Sequence, residues 1–155
     1  MNIVQIVGNI NELQLKDEEF DFIFSVNVLE HINKEHLPEI AKTLFRILKK
    51  GGLEYHSFGS YDHFYHIDKS ISKFNYLRYS ETQWKIIDNG IQPQNRMRID
   101  YFEDLFKTVG FNIEKELHSS PNIEELKKVE VHEDFAHLPV EILAVDYGAF
   151  LLKKE

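Results

Sequence analysis

Apolar residues crowd one stretch near the start of the chain, "FDFIFSVNVLEHI", residues 20 to 32. Phe20, Phe22, Ile23, Phe24 and Val26 are interrupted only by Asp21 and Ser25. A run this dense predicts a strand buried on both faces, as in a parallel sheet. It leads into a polar tip of Asn27, Glu30 and His31. The spacing then changes. Leu37, Ile40, Ala41, Leu44, Phe45 and Leu48 recur as the single apolar stripe of an amphipathic helix. Asn33 is placed to cap it, and Pro38 falls early in it, where a missing N–H is tolerated. Lys49 and Lys50 would complement the negative end of the helix dipole, with Gly51 as the stop. "LEYHSFG", residues 53 to 59, returns to a strand pattern. Strand, helix and strand predict a βαβ unit with parallel strands and a right-handed crossover.

The pattern extends both ways. "NIVQIVG", residues 2 to 8, reads as an earlier strand, and "NINELQLKDEE" as a polar connection. Further on, Phe102, Leu105, Phe106 and Val109 make a second helical stripe ended by Gly110. Asp100 and Glu103 have the spacing of a capping box. "FNIEKEL" alternates as a strand, "NIEELKKVEV" gives a short helix or turn of helix, and "VDYGAFLLKK" gives a last strand. Residues 60–98 differ: they are aromatic and polar together, with weak periodicity. Such a segment is helical in parts and too long for a plain loop, which marks it as a functional insertion. A length of 155 residues suits one domain with a real core.

Charge narrows the partners. The chain carries 26 acidic and 18 basic residues, a formal net charge of −8. Phosphate binding needs clustered cations, so nucleic acid is not expected, nor is an anionic membrane surface. No apolar run approaches the ~20 residues of a membrane span. No basic region precedes the first apolar residues, so they do not read as a signal peptide. Without cysteine there is no disulfide frame and no thiolate chemistry, and a cytoplasmic setting is expected.

Taken in order, "FDFIFSVNVLEHI", the amphipathic helix and "LKKGGLEYHSF" resemble the second half of a class I S-adenosylmethionine-dependent methyltransferase. In that family the fourth strand starts with Phe-Asp and ends near Leu-Glu-His, and the fifth follows a Lys-x-Gly-Gly turn. "YFEDLFKTVGFNIEKEL" is similar to the helix and sixth strand, and "VDYGAFLLKK" to the antiparallel seventh. The resemblance implies an α/β, partial Rossmann-like fold. Its sheet would be mostly parallel with an antiparallel last strand, and a helical insertion would follow the fifth strand. It also implies S-adenosylmethionine as methyl donor. The family's glycine-rich turn is not among these residues, since only Gly51 and Gly52 are adjacent among seven glycines. The chain is therefore expected to be the carboxyl-terminal portion of a longer, truncated methyltransferase. It should bind the donor weakly or not at all by itself.

Candidate residues follow from both readings. By resemblance, Asn9 and Ile10 stand where the third strand meets the adenine. Ser25 and Asn27 end a strand, and ligands of parallel sheets lie outside the carboxyl ends of strands, which points to the cofactor. Glu30 could orient substrate. His31 could take a proton, although adjacent helical residues diverge by ~100° and would not both face one ligand squarely. His56, Asp62, His63, His66 and Asp68 form the densest polar cluster. His63 is the second candidate base, with His56 and His66 facing substrate. No ligand spacing there reaches the strength of a metal motif, so no metal is assigned. Trp84, Asn95, Arg96 and Arg98 lie in "WKIIDNGIQPQNRMR", which resembles a stretch of bacterial methyltransferases of surface-glycan biosynthesis. Arginine forks there would suit an anionic or sugar-linked substrate. Two functions lead, ahead of a third reading as an unrelated metal-dependent hydrolase using the histidine cluster. One is methyl transfer to a small-molecule or glycan-like acceptor by the complete protein. The other is a non-catalytic module, dimerising across an exposed sheet edge or binding a partner.

Overall fold

The computed structural model describes residues 4–88, 90 and 93–155. The βαβ unit forms as the pattern predicts. Strand β1 (Phe20–Val26) leads through two 3-10 turns into helix α1 (Leu37–Ile47), and strand β2 (Leu48–Gly59) returns parallel to β1. Helix α1 stops earlier than the lysines implied. Leu48 is already extended and wholly buried, so Lys49 and Lys50 belong to β2, where Lys49 pairs with Asp21 at 2.8 Å.

Helix α2 (Glu81–Ile87) lies within the insertion and carries a complete capping box between Ser80 and Gln83. Helix α3 (Ile99–Val109) follows, ending on Gly110 at φ 112°, a conformation that favours glycine. Asp100 is not its cap. Arg98 holds that position, and Asp100 sits inside the first turn. Strand β3 (Asn112–His118), the short helices α4 (Ile123–Leu126) and α5 (Val140–Leu143), and strand β4 (Tyr147–Lys153) complete the chain.

The sheet order is β1-β2-β4-β3. The last strand inserts between β2 and β3 and runs antiparallel to both. Two of the three described pairings are therefore antiparallel, which corrects the expectation of a mostly parallel sheet. The earlier strand expected over residues 2 to 8 also fails. Met1–Ile3 lie outside the described residues, and residues 4–8 are not a strand. Val4, Ile6 and Val7 are exposed and have no strand beside them to complete a ladder.

The two faces of the sheet differ sharply. On one, Ile23, Phe58, Ile113, Phe150 and Leu152 pack with α1 and α3 through Leu37, Phe102 and Phe106. On the other, alternation along the strands turns out Phe22, Phe24, Val26 and Leu117, and all four are exposed. A second core lies beyond the strand ends. There Phe74, Tyr76, Leu77 and Trp84 of the insertion meet Leu126, Phe135, Leu143 and Ala144. The insertion is thus packed, not loose, and it roofs the carboxyl ends of β1 and β2.

Candidate functional site

The site begins where β1 ends. Asn27 takes φ 53°, a left-handed conformation asparagine tolerates, and its N–H donates to Ser57 O of β2 at 2.9 Å. The chain then makes a single 3-10 turn, Leu29–His31. Glu30 is 3% exposed, and its Oε1 accepts the Gly59 N–H at 3.0 Å. His31 Nδ1 lies 2.9 Å from Pro93 O; because a carbonyl only accepts, Nδ1 carries the proton.

Asn95 fixes this turn from the insertion. Its Nδ2 donates to Leu29 O at 2.8 Å and Ile32 O at 2.7 Å, and its N–H donates to Glu30 O. The opposite wall comes from the segment after β2. Gln94 Oε1 accepts the His63 N–H at 3.2 Å, and Gln94 Nε2 donates to Tyr61 O. Asp62 caps the turn His63–His66 through the Phe64 N–H at 2.9 Å. Tyr61 Oη and His66 Nε2 are hydrogen-bonded at 2.9 Å.

The result is a cavity of about 420 Å³ lined by Asn27, Glu30, His31, Tyr61, His63, His66 and Ile67. The His31 and His63 rings lie 4.9 Å apart. Burial, reinforced by His31 and His66, holds the His63 imidazole down at about 4, so it is neutral near neutral pH. Burial pushes the Glu30 carboxyl up against the opposing Gly59 hydrogen bond. A second cavity, about 510 Å³, shares His31 with the first as a lining residue and is also lined by Asn9, Asn11, Asn33 and His36.

Asn27, Glu30, His31, His63 and His66 thus meet in one cavity. Glu30 and His31 both line it although they are adjacent, Glu30 buried beneath the turn and His31 beside His63. Ile10 is half-buried, and Asn9 forms a local turn, its Oδ1 accepting the Asn11 N–H at 3.1 Å. Ser25 and His56 point elsewhere. Ser25 Oγ meets His56 Nδ1 at 2.8 Å, His56 Nε2 meets Glu54 Oε2 at 3.0 Å, and the His56 ring stacks on Phe106 beneath α3. His56 is 1% exposed and lies on the helix-covered side, so strand alternation removes it from the cavity.

The insertion's larger residues are likewise committed internally. Trp84 Nε1 donates to Gln94 O at 2.8 Å. Arg96 donates to Tyr76 O, Tyr79 O and Glu81 Oε2. Arg98 donates to Ser60 O, Leu143 O, Val145 O and Tyr76 Oη. Arg98 ties the second core to Ser60 just after β2 and to the segment before β4, Arg96 braces the insertion itself, and both are nearly inaccessible. Sequence reasoning singled out Asn95 with the arginines but missed Tyr61 and Gln94. The signal available was a polar Gln-Asn pair set directly before two arginines that must be buried.

The donor can be tested against this geometry. Asn27 stands at the cavity mouth, where it could meet a methionine moiety. Asn9 Oδ1 accepts the Asn11 N–H and keeps a second lone pair for an adenine amine. Ser25 does not fit, because it faces His56.

Comparison places the architecture. Residues 2–55 match the family described as a methyltransferase domain. No curated protein matches the chain. Among solved structures, phosphoethanolamine N-methyltransferase 2 of Haemonchus contortus, seen with phosphomonomethylethanolamine and S-adenosylhomocysteine, aligns at 18% identity and TM-score 0.56. The alignment covers 94% of this chain but 36% of that one. The 1,6-didemethyltoxoflavin-N1-methyltransferase of Burkholderia thailandensis aligns at 11% identity and TM-score 0.55, over 96% of this chain and 49% of that one. An S-adenosylmethionine-dependent methyltransferase of Mesorhizobium loti aligns at 15% identity and TM-score 0.53, over 95% and 68%. Residues 2–55 are thus similar to a methyltransferase-domain family, and nearly the whole chain shares the fold of part of these solved methyltransferases, spanning only 36% of the first of them.

Proposed function

We propose that the complete protein transfers a methyl group from S-adenosylmethionine to a nucleophile on a small-molecule or glycan-like acceptor. The observation that carries this reading is the cavity at the carboxyl ends of β1 and β2, where Asn27, His31 and His63 converge. The donor's sulfonium carbon is already electrophilic when bound. What these residues add is position and a proton acceptor. The acceptor's nucleophilic atom forms a bond to the methyl carbon as the carbon–sulfur bond breaks, and S-adenosylhomocysteine leaves. The acceptor's proton passes to an imidazole. His63 suits that role because it is unprotonated near neutral pH and faces His31 across the cavity. Asn9, Ile10 and Asn27 would hold the donor. Isothermal titration calorimetry of the chain with S-adenosylmethionine tests this. Saturable binding weakened by N27A supports the reading, and binding indifferent to N27A overturns these assignments.

A second reading rests on the bare sheet face. Phe22 and Phe24 stack on each other with ring centroids 6.0 Å apart, yet they are 52% and 66% exposed. A non-catalytic module that buries this face against a second copy would leave the same surface. A well-folded monomer in light scattering counts against it.

A further inference from the structure

We propose that Glu30, His31 and His63 form a binding site for a divalent transition-metal cation of the Zn²⁺ type. One carboxylate oxygen and one nitrogen from each imidazole lie within 4.8 Å of one another. Ligand atoms around such a cation sit ~2.0–2.2 Å from it, so this triad closes on an ion by movements of about 1 Å. His63 is half-buried on the cavity wall and can supply that movement by rotation.

Three independent features point to a ligand. Glu30 Oε2 is fully buried and has no hydrogen-bond partner, while Oε1 is held by Gly59. A carboxylate oxygen sealed from water without a donor lacks the electrostatic partner that a cation supplies. His31 donates Nδ1–H to Pro93 O, which fixes the tautomer with its lone pair on Nε2. Metal-ligating histidines are oriented by this arrangement, the far nitrogen donating to a carbonyl. The donor set is also apt: two imidazoles and one carboxylate suit a borderline cation better than Mg²⁺ or Ca²⁺, which favour oxygen. Three protein ligands leave coordination positions open toward the cavity that Asn27, Tyr61 and His66 share.

The site stands on these side chains alone. Only its use in methyl transfer rests on the function proposed above. There, a cation-bound hydroxide would take the acceptor's proton and become bound water, replacing His63 in the proton-accepting task.

The test is calorimetry of the chelator-stripped full chain with ZnCl₂, without donor or acceptor, repeated with CoCl₂ and visible absorption. The expected result is one equivalent of Zn²⁺ at micromolar Kd, with Co²⁺ d–d bands of a low-coordinate site. E30Q preserves shape and the Gly59 acceptor, and H63A alters only the cavity wall. Each should weaken binding by about tenfold or more. H118A, on exposed β3, should leave it unchanged. Millimolar or non-saturable binding overturns the proposal, as does an affinity untouched by H63A. Zinc binding by a chain whose donor binding is indifferent to N27A would overturn the donor assignments and leave the cation site standing.

Discussion

The Glu30 carboxylate accepts the Gly59 N–H at 3.0 Å, joining the turn after β1 to the last residue of β2. This bond links residues 29 positions apart in sequence, just past β1 and at the end of β2, two strands already paired in parallel. It also buries a carboxyl with one oxygen satisfied and the other orphaned.

Glu30 therefore makes a pH-dependent contribution. Its folded pKa lies above 4.5, chiefly through burial, so above pH 4.5 the folded state holds more protons at this site than the unfolded state does. Stability from this group is lost as pH rises from 4.5 through the folded pKa. E30Q should be at least as stable as the parent at pH 7 in urea unfolding, with the advantage shrinking as pH falls toward 4.5. E30A removes the Gly59 acceptor and should cost about 1–3 kcal/mol.

His63 works in the opposite direction. Its folded value of about 4 lies below the ordinary 6.5, so the unfolded chain binds the proton more readily. Stability from this group is complete above pH 6.5 and is lost as pH falls toward 4. NMR titration should find the His63 ring neutral at pH 5.5. A midpoint near 6.5 would refute its burial. H63N should flatten the acid limb of the stability curve.

Arg98 is 2% exposed and its guanidinium serves three backbone carbonyls, those of Ser60, Leu143 and Val145. Replacing it with Met keeps the apolar stem and leaves those acceptors dry. R98M should lose about 3 kcal/mol or more in denaturant unfolding, whereas loss of a surface arginine would cost little.

The face carrying Phe22, Phe24 and Val26 should drive association. Light scattering of the chain is expected to give species larger than a monomer. The double variant F22K/F24K should shift them to monomer without loss of helix signal, because neither side chain belongs to a described core.

Periodicity made much of the fold legible. Phe20–Val26, the Leu37–Leu44 stripe and the Phe102–Val109 stripe appear as strand and helices because alternation and 3.6-residue spacing are local properties. Gly110 was readable as a stop for the same reason. The end of α1 was misread because lysine suits both a helix terminus and an edge of sheet, and only the pairing with β1 decides between them. Pairing likewise decided the fate of residues 4–8, whose apolar pattern fits a strand but meets none.

The site divides along the same line. The sequence by itself determined that Asn27, Glu30 and His31 end a strand and that histidines crowd the segment after the next one. It did not determine which histidines meet. His56, His63 and His66 look alike in a string of letters, yet His56 lies beneath α3 while His63 faces His31 at 4.9 Å. Strand alternation sends one to the covered face, and the Gln94 and Asp62 hydrogen bonds hold the other at the cavity. Likewise Arg96 and Arg98 carry the chemistry of anion binding, but they are buried and their donors go to backbone carbonyls, the Glu81 carboxylate and the Tyr76 hydroxyl. Local pattern set the elements. The meeting of side chains from distant segments was decided by packing, which no single stretch of sequence contains.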